Sequence, residues 1–134
     1  MRVTQISVFL ENRPGRLAHL LQVFSNARVN LRALSLADTA DFGIARAIVT
    51  DTPAAMKAIR QAGLTAATTD VLRVEVPDEP GGLQRLVIEP LANAGVNVEY
   101  LYAHSERAGE KAVVIMKVDN LDKAVQTLQG SIAV

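Results

Sequence analysis

Asn12-Arg13-Pro14-Gly15-Arg16-Leu17 is repeated loosely as Asp78-Glu79-Pro80-Gly81-Gly82-Leu83, with the two Pro-Gly pairs 66 residues apart in a chain of 134. Each copy lies between an alternating apolar stretch and a helix-like stretch, and a Val-Asn pair follows each copy. A strand-to-helix turn of this kind points backbone N–H groups outward, where a small anionic ligand can bind. The chain is therefore predicted to hold two copies of one domain, residues 1–69 and 70–134, each with a candidate ligand loop.

The composition is that of a small globular protein without bulk charge. Lys plus Arg and Asp plus Glu number 14 each, so the formal net charge is zero. This balance argues against a protein that binds nucleic acid or an anionic membrane through net positive charge. The absence of cysteine excludes disulfides and thiolate chemistry. No apolar run approaches the ~20 residues that span a bilayer, and no signal-like segment opens the chain, so a cytoplasmic location is expected.

Hydrophobic periodicity predicts the same order of elements in both halves. Strands are expected over residues 3–10, 30–37, 43–50 and 65–69, and again over 71–76, 97–104, 112–118 and 132–134. Helices are expected over 14–24, 52–62, 81–94 and 121–128. Each half thus has the β-α-β-β-α-β order of a ferredoxin-like α+β domain. Because Thr68-Thr69-Asp70 is the only seam and each half is small, the halves are expected to share a closely packed sheet and to unfold together.

The two copies fall out of register inside the helix that follows each loop. Asn30 matches Asn97 at an offset of 67, so the second copy has gained one residue within 83–93. Pro90 lies in that window, where it removes a helical hydrogen bond. The extra residue beside a proline predicts a local bulge or kink.

Glu11-Asn12-Arg13-Pro14-Gly15-Arg16-Leu17, followed by Val29-Asn30-Leu31, resembles the ACT domain, the amino-acid-sensing module of biosynthetic enzymes. Across the loop and first helix the chain is similar to the serine-sensing domain of phosphoglycerate dehydrogenase. The whole chain resembles the stand-alone tandem ACT proteins. The resemblance implies side-by-side sheets, amino-acid binding near a domain interface and no catalysis.

In the serine-sensing domain a histidine, an asparagine two residues later and a more distant asparagine hold the effector. The resemblance assigns the corresponding positions of the two copies to Leu10, Asn12 and Asn30, and to Val76, Asp78 and Asn97. Neither copy has the histidine, so the serine ligand does not carry over with the fold. Asp78 offers a carboxylate that can pair with an α-ammonium group.

The candidate ligand-binding set comprises both loops and the two later asparagines. Its members are Asn12, Arg13, Pro14, Gly15, Arg16, Leu17, Asn30, Asp78, Glu79, Pro80, Gly81, Gly82, Leu83 and Asn97. Asn12 and Asn30 are expected to converge on the carboxylate and amine of an amino acid, while the loop arginines attract the carboxylate. The alternative for each is structural: a tight Pro-Gly turn, an asparagine that caps a turn, or a solvated arginine.

Other polar and aromatic residues indicate packing rather than chemistry. Tyr100, Tyr102 and His104 alternate along one strand, which favours cross-strand packing at an interface over base stacking. His19 and His104 are the only histidines and no cysteine assists them, so neither a metal site nor a cofactor is predicted. Asp38 and Asp41 bracket a hairpin and are assigned to its turn.

Two other classes of protein, one catalytic and one that binds nucleic acid, have the same order of strands and helices. An acylphosphatase-like enzyme needs an asparagine on the third strand, and residues 43–50 contain none. An RNA-recognition domain needs aromatics on its central strands, and residues 43–50 and 112–118 contain none. The sequence therefore predicts a non-enzymatic sensor that binds an amino acid and regulates amino-acid metabolism. An oligomerising scaffold or regulatory subunit with degenerate ligand loops is the alternative.

An open sheet face predicts self-association. Four apolar side chains alternate onto the face away from the helices: Ile44, Ile48, Val113 and Ile115. A large apolar patch is rarely left in water by a soluble monomer, so a homodimer is expected. The other expected partners are an amino acid or similar small metabolite and a regulated metabolic enzyme, with no nucleic acid and no membrane.

Overall fold

The computed structural model describes residues 1–38, 41–105 and 110–129. They form two compact units, one of Thr4–Thr69 and one that combines Met1–Val3 with the described residues from Asp70 onward. The predicted closing strand over 132–134 and the turn around Ala108-Gly109 lie outside the described residues, as do Thr39 and Ala40 of the first hairpin.

The first unit has the predicted order of strands and helices. Its elements are β1 (Arg2–Glu11), α1 (Arg16–Asn26), β2 (Leu31–Asp38), β3 (Phe42–Val49), α2 (Thr52–Gln61) and the beginning of β4 (Thr65–Pro77). The strands lie in the order β2-β3-β1-β4, with β3 antiparallel to both β1 and β2. The core forms where Ile6 and Val8 of β1 pack with Leu20 and Phe24 of α1, all of them buried.

The second unit repeats this arrangement with the remainder of β4. It continues through a π-helical segment (Gln84–Ile88), α3 (Glu89–Asn93), β5 (Val98–Ser105), β6 (Lys111–Val118) and α4 (Leu121–Leu128). The strands lie in the order β4-β6-β5. Arg2 pairs with Asp122, and the Arg73 N–H donates to the carbonyl of Met1 over 2.7 Å. These bonds account for the inclusion of the first three residues in this unit.

β4 is longer than the sequence indicates. Separate strands over 65–69 and 71–76 were expected, but Thr65–Pro77 forms one strand of 13 residues. Thr68 and Thr69 are β-branched and favour extended backbone, and a single aspartate does not interrupt them. The seam at Thr68-Thr69-Asp70 is therefore not a loop. A shared sheet and joint unfolding of the two halves stay predictions.

The bulge expected beside Pro90 is confirmed. Gln84–Ile88 is π-helical, and the Glu89 N–H donates to the carbonyl of Gln84, five residues earlier. A π-turn absorbs one extra residue without breaking the helix. Pro90 follows at once in α3, where its missing N–H removes one hydrogen bond from the usual ladder. The one-residue change of offset is thus accommodated inside the helix.

Three helices end on a residue with left-handed backbone. Gly63 and Gly95 have φ of 75° and 77°, and Arg28, which aligns with Gly95, has φ of 57°. The Val29 N–H donates to the carbonyl of Phe24 over 2.9 Å, the bond that closes a helix end of this type. The positive φ predicted for Arg28 from its alignment with Gly95 is confirmed.

Replacing Arg28 by glycine is expected to raise the free energy of unfolding by several tenths of a kcal/mol. A side chain in the left-handed region costs roughly 1 kcal/mol, part of which the greater freedom of unfolded glycine offsets. Urea denaturation measures the difference. Arg60→Gly, inside α2, is the matched control and should destabilise by about 1 kcal/mol. A clear loss of stability in Arg28→Gly would contradict the strain at this helix end.

The apolar face expected from four side chains is smaller than predicted. The core clusters contain the alternate residues of β3 and β6, so all four side chains do point away from the helices. Ile48 and Ile115 are nevertheless buried, with 8% and 2% of their surface exposed. Ile115 has Arg73 and Tyr102 as its cross-strand neighbours, and long side chains shield a branched one between them. These two residues do not form a patch in water.

Candidate functional site

The first loop is closed by its own backbone. The Arg13 N–H donates to the Glu11 carbonyl over 2.9 Å, and the Asn12 N–H donates to the Asp41 carbonyl over 3.0 Å. Gly15 has φ of 90° and precedes α1, which therefore begins two residues later than the expected start at Pro14. Only glycine adopts this conformation readily. The turn brings β1, α1 and the β2–β3 hairpin together at one end of the unit.

A pocket of about 70 Å³ lies beside this loop. One water needs roughly 10–15 Å³ of such space, so the pocket has room for a few small chemical groups and suits a small metabolite. The loop and the start of α1 supply much of its wall, and the neighbouring ends of β1, β2 and β3 supply the rest. The lining residues are Leu10, Glu11, Asn12, Arg13, Arg16, Leu17, Leu36, Asp38 and Gly43.

The two loop arginines have different surroundings. Arg13 is exposed, and its Nε lies 3.1 Å from Oε2 of Glu11. Arg16 is partly buried, and its Nε is buried with no hydrogen-bond partner. A buried donor without a partner costs about 1–3 kcal/mol, so such groups call for a ligand, water or ion. Arg16 is therefore the cation best placed to receive an anion in this pocket.

The N-terminus of α1 adds to this preference. The helix has 11 residues, its first turn holds no acidic side chain, and no side chain caps it. The first N–H groups of a helix have no internal acceptor and carry partial positive charge, which favours an anion nearby. Asp38 brings negative charge to the same pocket, whereas the Glu11 carboxylate is paired with Arg13. Both charges of a zwitterion thus have a counterpart among the lining residues.

The first-copy candidates fall into three groups. Asn12, Arg13, Arg16 and Leu17 line the pocket, whereas Pro14 and Gly15 form the turn that positions them. Asn30 is elsewhere, since its N–H donates to Oγ1 of Thr50 just before β2 begins. The pocket lies at the end of β2, whose 8 residues span about 25 Å. Within the first unit Asn12 and Asn30 therefore lie near opposite ends of β2, and their convergence on one ligand stays a prediction.

Sequence reasoning missed Leu36 and Asp38 as lining residues. Asp38 was assigned to the hairpin turn, yet it pairs with Gly43 at the start of β3, and Gly43 pairs with Leu10 of β1. The signal was the strand order, since in a ferredoxin-like sheet β3 lies between β1 and β2. The hairpin end must then lie beside the loop that follows β1.

The second loop repeats the backbone of the first with different chemistry. The Glu79 N–H donates to the Pro77 carbonyl over 2.9 Å, and the residue after Pro80, Gly81, has φ of 78°. Oδ2 of Asp78 accepts a hydrogen bond from the Ser105 hydroxyl over 2.8 Å. Glu79 pairs with Arg85 of the π-helical segment at 2.9 Å, so both acidic side chains of the loop have a partner on a neighbouring element.

The remaining second-copy candidates have structural positions. Gly82 stands where the first copy has Arg16, and a Cβ added there would lie 2.6 Å from the Pro77 carbonyl oxygen. Leu83 packs against the core of its unit. The Asn97 N–H donates to Oδ1 of Asp119 over 2.9 Å, the counterpart of the Asn30 contact in the first unit. This loop offers no cation at the position of Arg16.

Residues 1–38, 41–105 and 110–129 contain neither a candidate metal-binding cluster nor a candidate membrane-spanning helix. Within those ranges no group of three or more His, Asp or Glu side chains is placed to hold a metal ion. In the same part of the chain no helix has the length and apolar character needed to cross a membrane.

The fold and loops define a class of protein: two ferredoxin-like units in tandem, with a strand–loop–helix pocket beside the first loop. The model of the ACT domain pair matches residues 1–130, and the chain belongs to that family. This confirms both the predicted fold class and the resemblance. Family membership indicates a regulatory role that involves binding a small molecule.

Solved structures agree with this assignment. The chain is 36% identical to protein BT0572 from Bacteroides thetaiotaomicron, covering 96% of this chain and 88% of that one, with a TM-score of 0.90. The regulatory subunit of aspartate kinase from Thermus thermophilus, in ligand-free form, is 15% identical over 97% of this chain and 92% of its own, with a TM-score of 0.68. The latter likeness shows the fold alone. No curated protein matches the sequence.

Proposed function

We propose that this ACT domain pair, with domains at 1–69 and 70–134, is a non-catalytic cytoplasmic sensor. It binds an amino acid at the first loop and regulates amino-acid metabolism, as a homodimer or through a partner enzyme. The observation that carries the proposal is Arg16: its side chain belongs to the pocket lining, and its buried Nε has no hydrogen-bond partner. The uncapped N-terminus of α1 supports it.

The proposed binding mode follows from the charges of the pocket. The α-carboxylate of the ligand lies against Arg16 and the first N–H groups of α1, where helix and guanidinium both favour an anion. Asp38 receives the α-ammonium group. Leu17 and Leu36 contact the ligand side chain, and a pocket of about 70 Å³ favours a small one.

The contacts of the second loop favour a scaffold role, rather than ligand binding, for the second unit. Asp78 and Glu79 already bind Ser105 and Arg85, and Gly82 supplies no cation. We propose that this loop is structural, which makes the second unit the scaffold part of the pair. A scaffold role for the whole chain would require the first loop to be inert as well.

A thermal-shift screen of the twenty amino acids tests the proposal. A ligand present at 100 times its Kd adds about 2.7 kcal/mol to the stability of the folded state. One amino acid, or a few of similar shape, is expected to raise the melting temperature. A stable protein that responds to none of the twenty would favour the scaffold.

Alanine variants of the two loops test which copy binds. Asn12→Ala is expected to weaken the affinity for the selected amino acid about tenfold or more, because a hydrogen bond to a charged group contributes roughly 1.5–3 kcal/mol. Asp78→Ala, the matched change in the second copy, should affect affinity less since its carboxylate binds Ser105. Isothermal titration calorimetry measures both. The reverse ranking would move the site to the second loop.

A further inference from the structure

The first unit exposes two phenylalanines on the sheet face opposite its helices. Phe9 on β1 and Phe42 on β3 leave 46% and 56% of their surface accessible. Phe9 pairs with Ile44, which pairs in turn with Ala37 at the edge strand β2. We call Phe9, Ala37, Phe42 and Ile44 the phenylalanine patch. It lies at the same end of the strands as the ligand pocket, on the other side of the sheet.

The second unit shows that the fold itself does not need these aromatics. The pairing of Glu11 with Phe42 corresponds to that of Pro77 with Lys111, so Lys111 stands at the position of Phe42. In the same register Glu75 stands at the position of Phe9. Oε2 of Glu75 and Nζ of Lys111 lie 4.0 Å apart as a partly exposed ion pair. An ion pair is well suited to water, whereas exposed phenylalanine is a mark of an interaction site.

We propose that the phenylalanine patch binds the same patch of a second copy of the chain, face to face. The proposal rests on the homodimer proposed above and assigns its surface. The proposed two-fold axis lies between the two facing sheets and runs across the strands, along the row formed by Phe9, Ile44 and Ala37. Rotation about this axis places each of these residues over the same residue of the second copy. Contacts of this self-matching kind are the commonest in homodimers.

The charges next to the patch agree with that axis. One row towards the loop lie Glu11 and Phe42, and one row away lies Arg46, the partner of Ser7. The axis exchanges these rows, so Arg46 of one copy lies over Phe42 of the second and beside its Glu11. A guanidinium over an aromatic face is attractive. The patch is therefore complementary to itself.

The first experiment transplants the ion pair of the second unit into the first. Sedimentation velocity of the wild-type chain is expected to show a dimer at micromolar concentration. The double variant Phe9→Glu, Phe42→Lys should raise the dimer dissociation constant by about a hundredfold or more, as expected when central aromatic residues are lost. Leu101→Lys replaces another exposed apolar residue, with 41% of its surface accessible on β5, and should leave the constant unchanged.

The second experiment tests the geometry and uses the lack of native cysteine. Ala37→Cys is expected to form a covalent dimer with a short bismaleimide, since facing sheets lie about 10 Å apart and Ala37 lies near the axis. Ala103→Cys, an exposed alanine on the helical side of β5, should not. A wild-type monomer, equal weakening by Leu101→Lys, or cross-linking only through Ala103→Cys would each overturn the proposal.

The same variants separate this proposal from the sensor function. The amino-acid thermal-shift response of the double variant should match that of the wild type, because the ligand pocket lies on the other face of the sheet. A dimer lost with the response retained supports the patch. A wild-type dimer that persists in the double variant overturns the patch alone, and a wild-type chain that responds to no amino acid overturns the sensor alone.

Discussion

Replacing Arg16 by methionine is expected to lower the affinity for the selected amino acid by about tenfold to a hundredfold, the largest effect of any single change in the pocket. Methionine keeps much of the side-chain volume and the helix propensity but removes the charge. A charge-assisted hydrogen bond contributes roughly 1.5–3 kcal/mol, which is that range of affinity. Isothermal titration calorimetry measures the change, with thermal unfolding as the check on folding.

Arg85→Met is the matched control for this prediction. Arg85 lies in the π-helical segment that follows the second loop, and it pairs with Glu79. Its replacement should change ligand affinity less than twofold, because an exposed ion pair contributes little beyond its own surroundings. Equal losses in both variants, or unchanged binding by Arg16→Met, would be inconsistent with a carboxylate held by Arg16.

Replacing Gly82 by alanine is expected to destabilise the protein by about 1–3 kcal/mol, the range for forcing atoms into a packed site. The added Cβ would lie 2.6 Å from the carbonyl oxygen of Pro77. That oxygen already accepts the Glu79 N–H, so it cannot retreat without opening the turn. Urea denaturation followed by circular dichroism measures the loss.

Gly43→Ala is the control for this clash. Gly43 also has ordinary backbone angles, but a Cβ there would meet its nearest atoms at 3.5 Å, which is normal contact. Its free energy of unfolding should fall by less than that of Gly82→Ala. If Gly82→Ala were as stable as the wild type, the second loop would have a different conformation from the one described.

Local chemistry made much of the fold predictable. The Asp51 carboxylate accepts the Ala54 N–H at 3.0 Å and caps α2, the role in which aspartate is strongly preferred. The change of offset around Pro90 predicted a local bulge or kink, which the structure shows as a π-turn, because a residue inserted in a helix must be absorbed there or break it. The length of β4 was not predictable in the same way. Whether Asp70 ends a strand or lies within it depends on neighbouring strands, which local propensity does not report.

The site was less predictable than the fold because it depends on contacts distant in sequence. Arg13 and Arg16 are the same residue type in the same loop, so the sequence does not distinguish them. In the structure Arg13 pairs with Glu11, whereas the Nε of Arg16 is buried without a hydrogen-bond partner. That difference arises from the left-handed turn at Gly15 and the start of α1. Asn30 was linked to Asn12 by the resemblance and by its place at the entry of a neighbouring strand. That strand was predicted, but which of its ends lies beside the first loop depends on the order of strands in the sheet.

A crystal structure of the chain with the amino acid chosen by the thermal-shift screen tests the central claim most directly. The ligand carboxylate is expected within hydrogen-bond distance of Nε of Arg16, about 2.7–3.0 Å for a charged pair, and next to the first N–H groups of α1. An amino acid bound at the second loop, or bound in the first pocket with its carboxylate turned away from Arg16, would contradict it.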